Sequence, residues 1–365
     1  MCKTIHLDAP NIGELEKRYL NKAIDGGYVS TIGPFVPDFE KKFARYLDTK
    51  KAISIQSGTA ALHMALYELG VGKDDEVIVP ALTFVATVNP VLYVGATPRF
   101  ADVDLKTWNI DPAEIEKNIT EKTRAIIPVH FYGNSCAMTE IQEIAKKHNI
   151  HVIEDATESL GATYKGRYTG TFGDFGCFSF NGNKLITTGG GGMIVGNDMK
   201  RLGHIKFLIN QARDEKKEYY HSEMGFNKRM TNIGAALGLA QMEKLSGFLE
   251  KKRIFNHLYR KELKCIKSIR FQEEYENARS SFWFSCIRFE IELDIVTLQK
   301  ELRKKNITTR RVFMPVLEFP PYRSYRQSDY ENCYRIYEKS LCLPSSTLNT
   351  EEDIVRVCRT LKFLL

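Results

Sequence analysis

Three short stretches carry side chains whose types and order bear on chemistry. "CFSFNGNKLITTGGGGMIVG" (177–196) holds a single lysine, Lys184, between two asparagines and a run of four glycines. Glycines allow positive φ and close approach of other groups, at an entropic cost. "VIEDATES" (152–159) ends an apolar run in Asp155, a carboxylate that needs a partner where a strand is buried. "QSGTAAL" (56–62) sets Gly58 and Thr59 between a strand-like and a helix-like segment, where backbone N–H groups and a hydroxyl make an anion site. It lacks the lysine of a P-loop and is no G-x-G-x-x-G turn. Each stretch alone has an ordinary explanation: a surface lysine in a hairpin, an N-cap aspartate, a common strand–turn–helix junction. Together they fit one demand. Pyridoxal 5′-phosphate (PLP) needs an amine for its aldehyde, a carboxylate to keep its ring nitrogen protonated and a cradle for its phosphate.

Such groups belong at the carboxyl ends of strands in a doubly wound fold. The pattern around them predicts one. "KAISIQ" (51–56), "DEVIVP" (75–80), "TPRFADVD" (97–104), "RAIIPVH" (124–130) and "HVIEDA" (151–156) read as strands, and "GCFSFN" and "GGMIVG" flank the lysine as two more. Helical patterns fit between them, notably "TAALHMALYELG" (59–70) and "MTEIQEIAKKHN" (138–149). Strand–helix alternation with nearly all-apolar strands predicts a mostly parallel sheet covered on both faces. After about residue 240 the texture changes. A basic helical stretch, "GFLEKKRIFNHLYRKELK" (247–264), leads to a strand-like "SFWFSCIRFEI" (281–291) and a terminal helix. The expectation is a large α/β domain over 1–245, including an N-terminal arm, and a smaller C-terminal α+β domain over 246–365. A length of 365 residues suits two units, since single cores rarely grow past roughly 250.

The net charge of +7 comes from 52 basic and 45 acidic residues that are well mixed, which argues against a nucleic-acid surface. The eight cysteines form no C-x-x-C pair and no Cys/His ligand spacing, so they read as reduced thiols and no metal is expected. No apolar run approaches the roughly 18 residues of a membrane span. The first residues have no apolar core of a signal peptide. A cytoplasmic protein without membrane or nucleic-acid partners is expected.

A set of motifs in order carries a family resemblance: "GTAALHMAL", "DEVIVPALTFVATVNPV", "IPVHFYGN", "VIEDATESLGATYKG", "GTFGDFGCFSFNGNKLITTGGGGMIV", "GFNKRMTNIGAALGLAQ" and "LPSS". With these the chain resembles the DegT/DnrJ/EryC1/StrS sugar-nucleotide aminotransferases along nearly its whole length. Within them it looks most like C4-aminotransferases of 4-keto-6-deoxyhexose nucleotides, which include GDP-perosamine synthase and enzymes of UDP-linked N-acetylated 4-keto sugars. The resemblance implies the PLP-dependent fold type I, similar to aspartate aminotransferase. Lys184 then matches the imine-forming lysine, which also moves a proton, and Asp155 the ring-nitrogen partner. Glu158 matches a position facing the phenolic oxygen, while Gly58, Thr59 and Ser179 match the phosphate cradle. Phe84 matches the aromatic that stacks on the pyridine face. Asn227, in "GFNKRM", matches an asparagine that reaches the neighbouring subunit's cofactor, which implies a homodimer with shared sites. Arg310 keeps a basic residue that faces substrate in relatives, with a surface salt bridge as an equal reading. His130, in "PVHFYG", reads equally as a satisfied histidine at a strand end.

The family resemblance implies a two-stage transamination. L-glutamate converts the cofactor to pyridoxamine 5′-phosphate (PMP), and the amine then passes to C4 of the keto sugar. Two departures stand out. Gly190 replaces an acidic residue common after the lysine, which with "FNGNK" favours a UDP-N-acetylated substrate over a GDP-linked one. Met314 and Leu317 stand where relatives often carry Tyr and His. Dehydratases of this family carry histidine at the lysine position, so Lys184 argues against dehydration. The chain has no appended helix–turn–helix, which argues against a ligand-sensing regulator.

Overall fold

The computed structural model describes residues 3–214, 216–217 and 219–365. The strands are β1 Lys51–Ile55, β2 Glu76–Pro80, β3 Thr97–Ala101, β4 Thr123–Ile126, β5 His151–Asp155, β6 Thr163–Tyr164 and β7 Arg167–Tyr168. They continue with β8 Phe175–Ser179, β9 Gly192–Gly196, β10 Ile269–Phe271, β11 Ala278–Arg279, β12 Ser285–Phe289, β13 Arg310–Arg311 and β14 Ser340–Leu343. The large sheet has the order β1-β9-β8-β5-β4-β2-β3. From β3 through β8 every pairing is parallel, and β9 runs antiparallel between β8 and β1. These strands are buried over almost their whole length, as their continuous Val, Ile and Phe content requires for a sheet covered on both faces. "RAIIPVH" yields only a short β4, because Pro128 has no N–H for the ladder. The chain nevertheless stays aligned beyond it: the His130 N–H donates to the Asp155 carbonyl (3.1 Å).

The second sheet, β10-β12-β14-β13, is antiparallel throughout. A helix of 32 residues, Asn232–Leu263, runs between the two sheets in sequence and begins at Thr231, whose hydroxyl accepts the Gly234 N–H (3.2 Å). The boundary expected at 245/246 falls inside this unbroken helix. The N-terminal segment, expected with the larger unit, is bonded to the smaller one: Ile5 bridges Ile307 and is buried among Phe255, Ile287 and Leu341. A ribbon of β6, β7 and β11 joins residues 163–168 to 278–279. Among the described residues no helix is long and apolar enough to cross a membrane.

Candidate active site

Asp155 ends β5, in the parallel part of the large sheet, and is 2% exposed. Burying a carboxylate is tolerable only when it is well hydrogen-bonded. Its Oδ2 accepts from Thr87 Oγ1 (2.7 Å), and its Oδ1 accepts from the Thr157 N–H (3.1 Å) and Oγ1 (2.6 Å). Thr87 comes from the helix Val85–Tyr93 and also meets Thr83 Oγ1 (2.8 Å), so a hydroxyl chain backs the carboxylate.

The residues expected to cradle a phosphate come together from two elements. The helix Gly58–Glu68 starts at Ser57, whose hydroxyl accepts the Ala60 N–H (3.0 Å). A Cβ on Gly58 would stand 2.7 Å from Thr157 Cγ2 and 2.9 Å from Ser179 Cβ, so the helix start can approach these two side chains only as glycine. Ser179 closes β8, and the chain then turns through Asn181 and Asn183 to Lys184.

Lys184 sits in a loop outside any regular element. Its Nζ lies 3.7 Å from Glu158 Oε1 and 3.9 Å from the centre of the Trp283 ring. Burial pulls its pKa below the ordinary lysine value, partly opposed by the Glu158 and Asp155 carboxylates. Burial pushes the Glu158 carboxyl up, opposed by Lys184 and by the Tyr132 N–H, which donates to Glu158 Oε2 (2.9 Å).

A cavity of about 210 Å³ opens on Lys184, Asp155, Glu158, Gly58, Thr59, Ser179, Phe84 and Arg310 together. Phe84 is 52% exposed and its ring stands 5.3 Å from that of Phe313. Arg310 packs its guanidinium over Phe284 (4.7 Å) and Phe313 (5.1 Å). Its Nη1 is 3.9 Å from Asp8, while its buried Nε and Nη2 have no hydrogen-bond partner. An amine, a bonded carboxylate, a glycine-opened helix N-terminus and a guanidinium with two buried nitrogens left without hydrogen-bond partners fit PLP and an anionic substrate on one cavity.

Other expected positions lie elsewhere. Asn227 is exposed and does not line the cavity, and its backbone bridges Asn210. His130 is a satisfied core histidine: its Nδ1 accepts the Cys136 N–H (3.1 Å), so its Nε2 donates to Glu154 Oε2 (2.9 Å). Leu317 is buried in the core, and neither it nor Met314 lines the cavity. Gly190 is exposed, and a Cβ there would meet nothing within 4 Å. Sequence reasoning missed Thr87, Thr157 and Trp283. Thr157 sits two residues after Asp155 and offered a signal as a local capping residue.

Residues 10–362 match the DegT/DnrJ/EryC1/StrS aminotransferase family. The GDP-perosamine synthase of Escherichia coli O157:H7 is 39% identical over 359 residues, covering 98% of each chain. That of Caulobacter vibrioides is 40% identical over 364 residues, covering 99% of this chain and 98% of the other. Among solved structures, a protein from Streptococcus pneumoniae described as a sugar aminotransferase, in its PLP form, superposes with a TM-score of 0.94 at 27% identity, over 99% of this chain and 98% of the other. The same protein is also known in its PMP form. The chain therefore belongs to the DegT/DnrJ/EryC1/StrS aminotransferase family, as a PLP-dependent sugar-nucleotide aminotransferase.

Proposed function

We propose that the chain aminates C4 of a nucleotide-linked 4-keto-6-deoxyhexose, with glutamate as the amino donor, giving a 4-amino-4,6-dideoxy sugar nucleotide for a surface glycan. The observation that carries this reading is the meeting of Lys184, Asp155 and Glu158 at one cavity that the Arg310 guanidinium also lines, two of its nitrogens lacking hydrogen-bond partners. When bound, PLP supplies the electron sink that lets nitrogen pass from an amino acid to a ketone. Lys184 would be the amine that holds the cofactor and the group that moves the proton at sugar C4. Because burial lowers the pKa of Lys184, more of it is neutral and able to take a proton near neutral pH than for an exposed lysine. Three hydrogen bonds hold the Asp155 carboxylate in one orientation toward the ring nitrogen. Gly58, Thr59 and Ser179 would hold the phosphate, with Glu158 toward the phenolic oxygen and Phe84 toward the ring face, all lining the one cavity. Arg310 meets an anionic group of the substrate.

Relatives named GDP-perosamine synthase favour a GDP-linked sugar. A second reading, a UDP-linked N-acetylated sugar, rests on Gly190 and on Asn181 and Asn183 of "FNGNK", which line the cavity. A homodimer with shared sites completes the proposal. The Asn227 side chain lies outside its own cavity, and Ile24, Tyr28 and Ile32 leave 57%, 49% and 70% of their surface in solvent. The seven described cysteines form no disulfide, which suits a cytoplasmic enzyme.

A panel of GDP-, UDP- and dTDP-linked 4-keto sugars with glutamate tests the reading, with products identified by mass and NMR. Turnover of a 4-keto-6-deoxy sugar with release of 2-oxoglutarate is expected. Turnover confined to 3-keto isomers would overturn the C4 assignment.

A further inference from the structure

One tryptophan that the cofactor chemistry does not call for lies against the lysine that it does. Trp283 belongs to the segment 280–284 that leads into β12, and it is 2% exposed. Its Nε1–H donates to the Asn183 carbonyl (2.8 Å), the residue before Lys184, and its ring face meets the Lys184 Nζ at 3.9 Å. Lys184 has no helix or strand to hold it, and this indole is one of the tethers of its loop, beside Asp8 on Asn183 and Gln241 on Thr187.

The segment carrying the indole is itself pinned from several sides. The Ser281 N–H and the Ser280 hydroxyl both donate to the Gly133 carbonyl (3.0 and 2.8 Å). Gly133 has φ +97°, and a Cβ on it would stand 2.9 Å from the backbone nitrogens of Phe282 and Trp283, so only glycine lets the segment this close. Arg253 Nε donates to the Ser280 carbonyl (3.1 Å). Lys252, 4% exposed on the helix Asn232–Leu263, donates to the carbonyls of Trp283 (2.9 Å) and Ser345 (2.8 Å). Burial lowers the Lys252 pKa to about 7, opposed by the Asp8 carboxylate. A buried ammonium is costly, and two backbone carbonyls are what it holds in return.

We propose that Trp283 is a positioning residue of the transamination, whose indole face receives the protonated form of the Lys184 amine when that amine is not bonded to the cofactor, with Lys252 as the strut that keeps the indole in place. The proposal rests on Lys184 being the cofactor-bonding amine. An ammonium on an indole face is favoured by the ring quadrupole. The indole therefore offsets part of the burial that disfavours the charged amine. Glu158 and Asp155 act in the same direction, and Arg310 against it. The released amine is thus held beside the site, its protonated form ready to give a proton and its neutral form ready to take one.

The test begins with cofactor-free protein, where the emission of Trp283 is isolated as the difference between wild type and Trp283→Phe, the other tryptophan being Trp108. That emission is expected to change with pH in wild type by a step that is missing in Lys184→Met, while a step from Lys252, whose pKa burial lowers to about 7, stays in both. An identical titration in both would overturn the proposal. In the loaded enzyme, Trp283→Leu removes the ring and is expected to move the basic rise of kcat about half a unit to one unit lower in pH, with Trp283→Phe between it and wild type. The KM for the sugar nucleotide should change less than kcat. An unmoved pH profile in Trp283→Leu would also overturn the proposal. Lys252→Met is expected to broaden the emission band of Trp283, and an unchanged band would remove Lys252 as the strut. Borohydride trapping of the cofactor on Lys184 separates the two readings: trapping without a titrating indole sinks only the role of Trp283, and absent trapping sinks the assignment of Lys184.

Discussion

Thr87 shows how a reacting site depends on a residue with no chemistry of its own. Its hydroxyl is one of three donors to the Asp155 carboxylate, and the only one from outside the loop that follows β5. Thr87→Val keeps the shape and deletes the donor. A hydrogen bond to a charged group contributes about 1.5–3 kcal/mol, so kcat/KM is expected to fall about tenfold or more. Asp155→Asn removes the charge proposed to face the ring nitrogen and is expected to cost more, on the order of a hundredfold, with weaker retention of PLP on gel filtration. Steady-state kinetics with PLP absorbance measured on the same fractions checks both; a Thr87→Val enzyme of wild-type rate would show the local Thr157 donors to be sufficient. Lys184 and Asp155 were legible because an amine beside glycines and a carboxylate ending an apolar run are out of place by type. Thr87 and Trp283 were not. A threonine in "FVATVNP" and a tryptophan in "SFWFS" look like ordinary β-branched and core residues until the fold brings them to positions 68 and 99 residues away.

The strands of the large sheet were legible for a related reason: a strand buried on both faces has almost no choice but apolar side chains. The long helix was harder. Its second half is basic and amphipathic, while its first half, "NIGAALGLAQ", is poor in the large side chains that mark a helix face. The structure gives the cause at Gly238, where a Cβ would stand 2.7 to 3.0 Å from three ring atoms of Phe39. The helix Phe35–Leu47 lies too close for any side chain there. Gly247, on the same helix, is exposed and a Cβ on it would meet nothing within 4 Å. The same substitution should therefore have opposite signs at the two positions. Gly247→Ala is expected to stabilise by about 0.5–1 kcal/mol through helix propensity. Gly238→Ala gains the same propensity but overpacks Phe39, and a net loss of about 1–2 kcal/mol is expected. Urea midpoints of the two variants check this, and a stabilised Gly238→Ala would mean that the Phe39 ring can swing aside.

At the scale of the whole molecule, the dimer proposal has each chain completing its partner's site. The cavity is lined by residues of both sheets' units, yet its Phe84 face is half open, and Asn227 presents its side chain to solvent outside it. A pattern of residues along one chain cannot say which copy's cavity such an asparagine serves, because the chain carries no trace of its partner's position. The dimer proposal makes that distinction measurable. Lys184→Ala supplies an intact Asn227 but no reactive amine, and Asn227→Ala supplies the amine but no asparagine. If sites are shared, a mixed dimer of the two variants contains one site with both residues intact and one with neither. Equal amounts of the two, unfolded and refolded together, should give about one quarter of the wild-type specific activity, above the sum of the separately refolded variants. If each chain completes its own site, mixing adds nothing, and the activity stays at the average of the two parents.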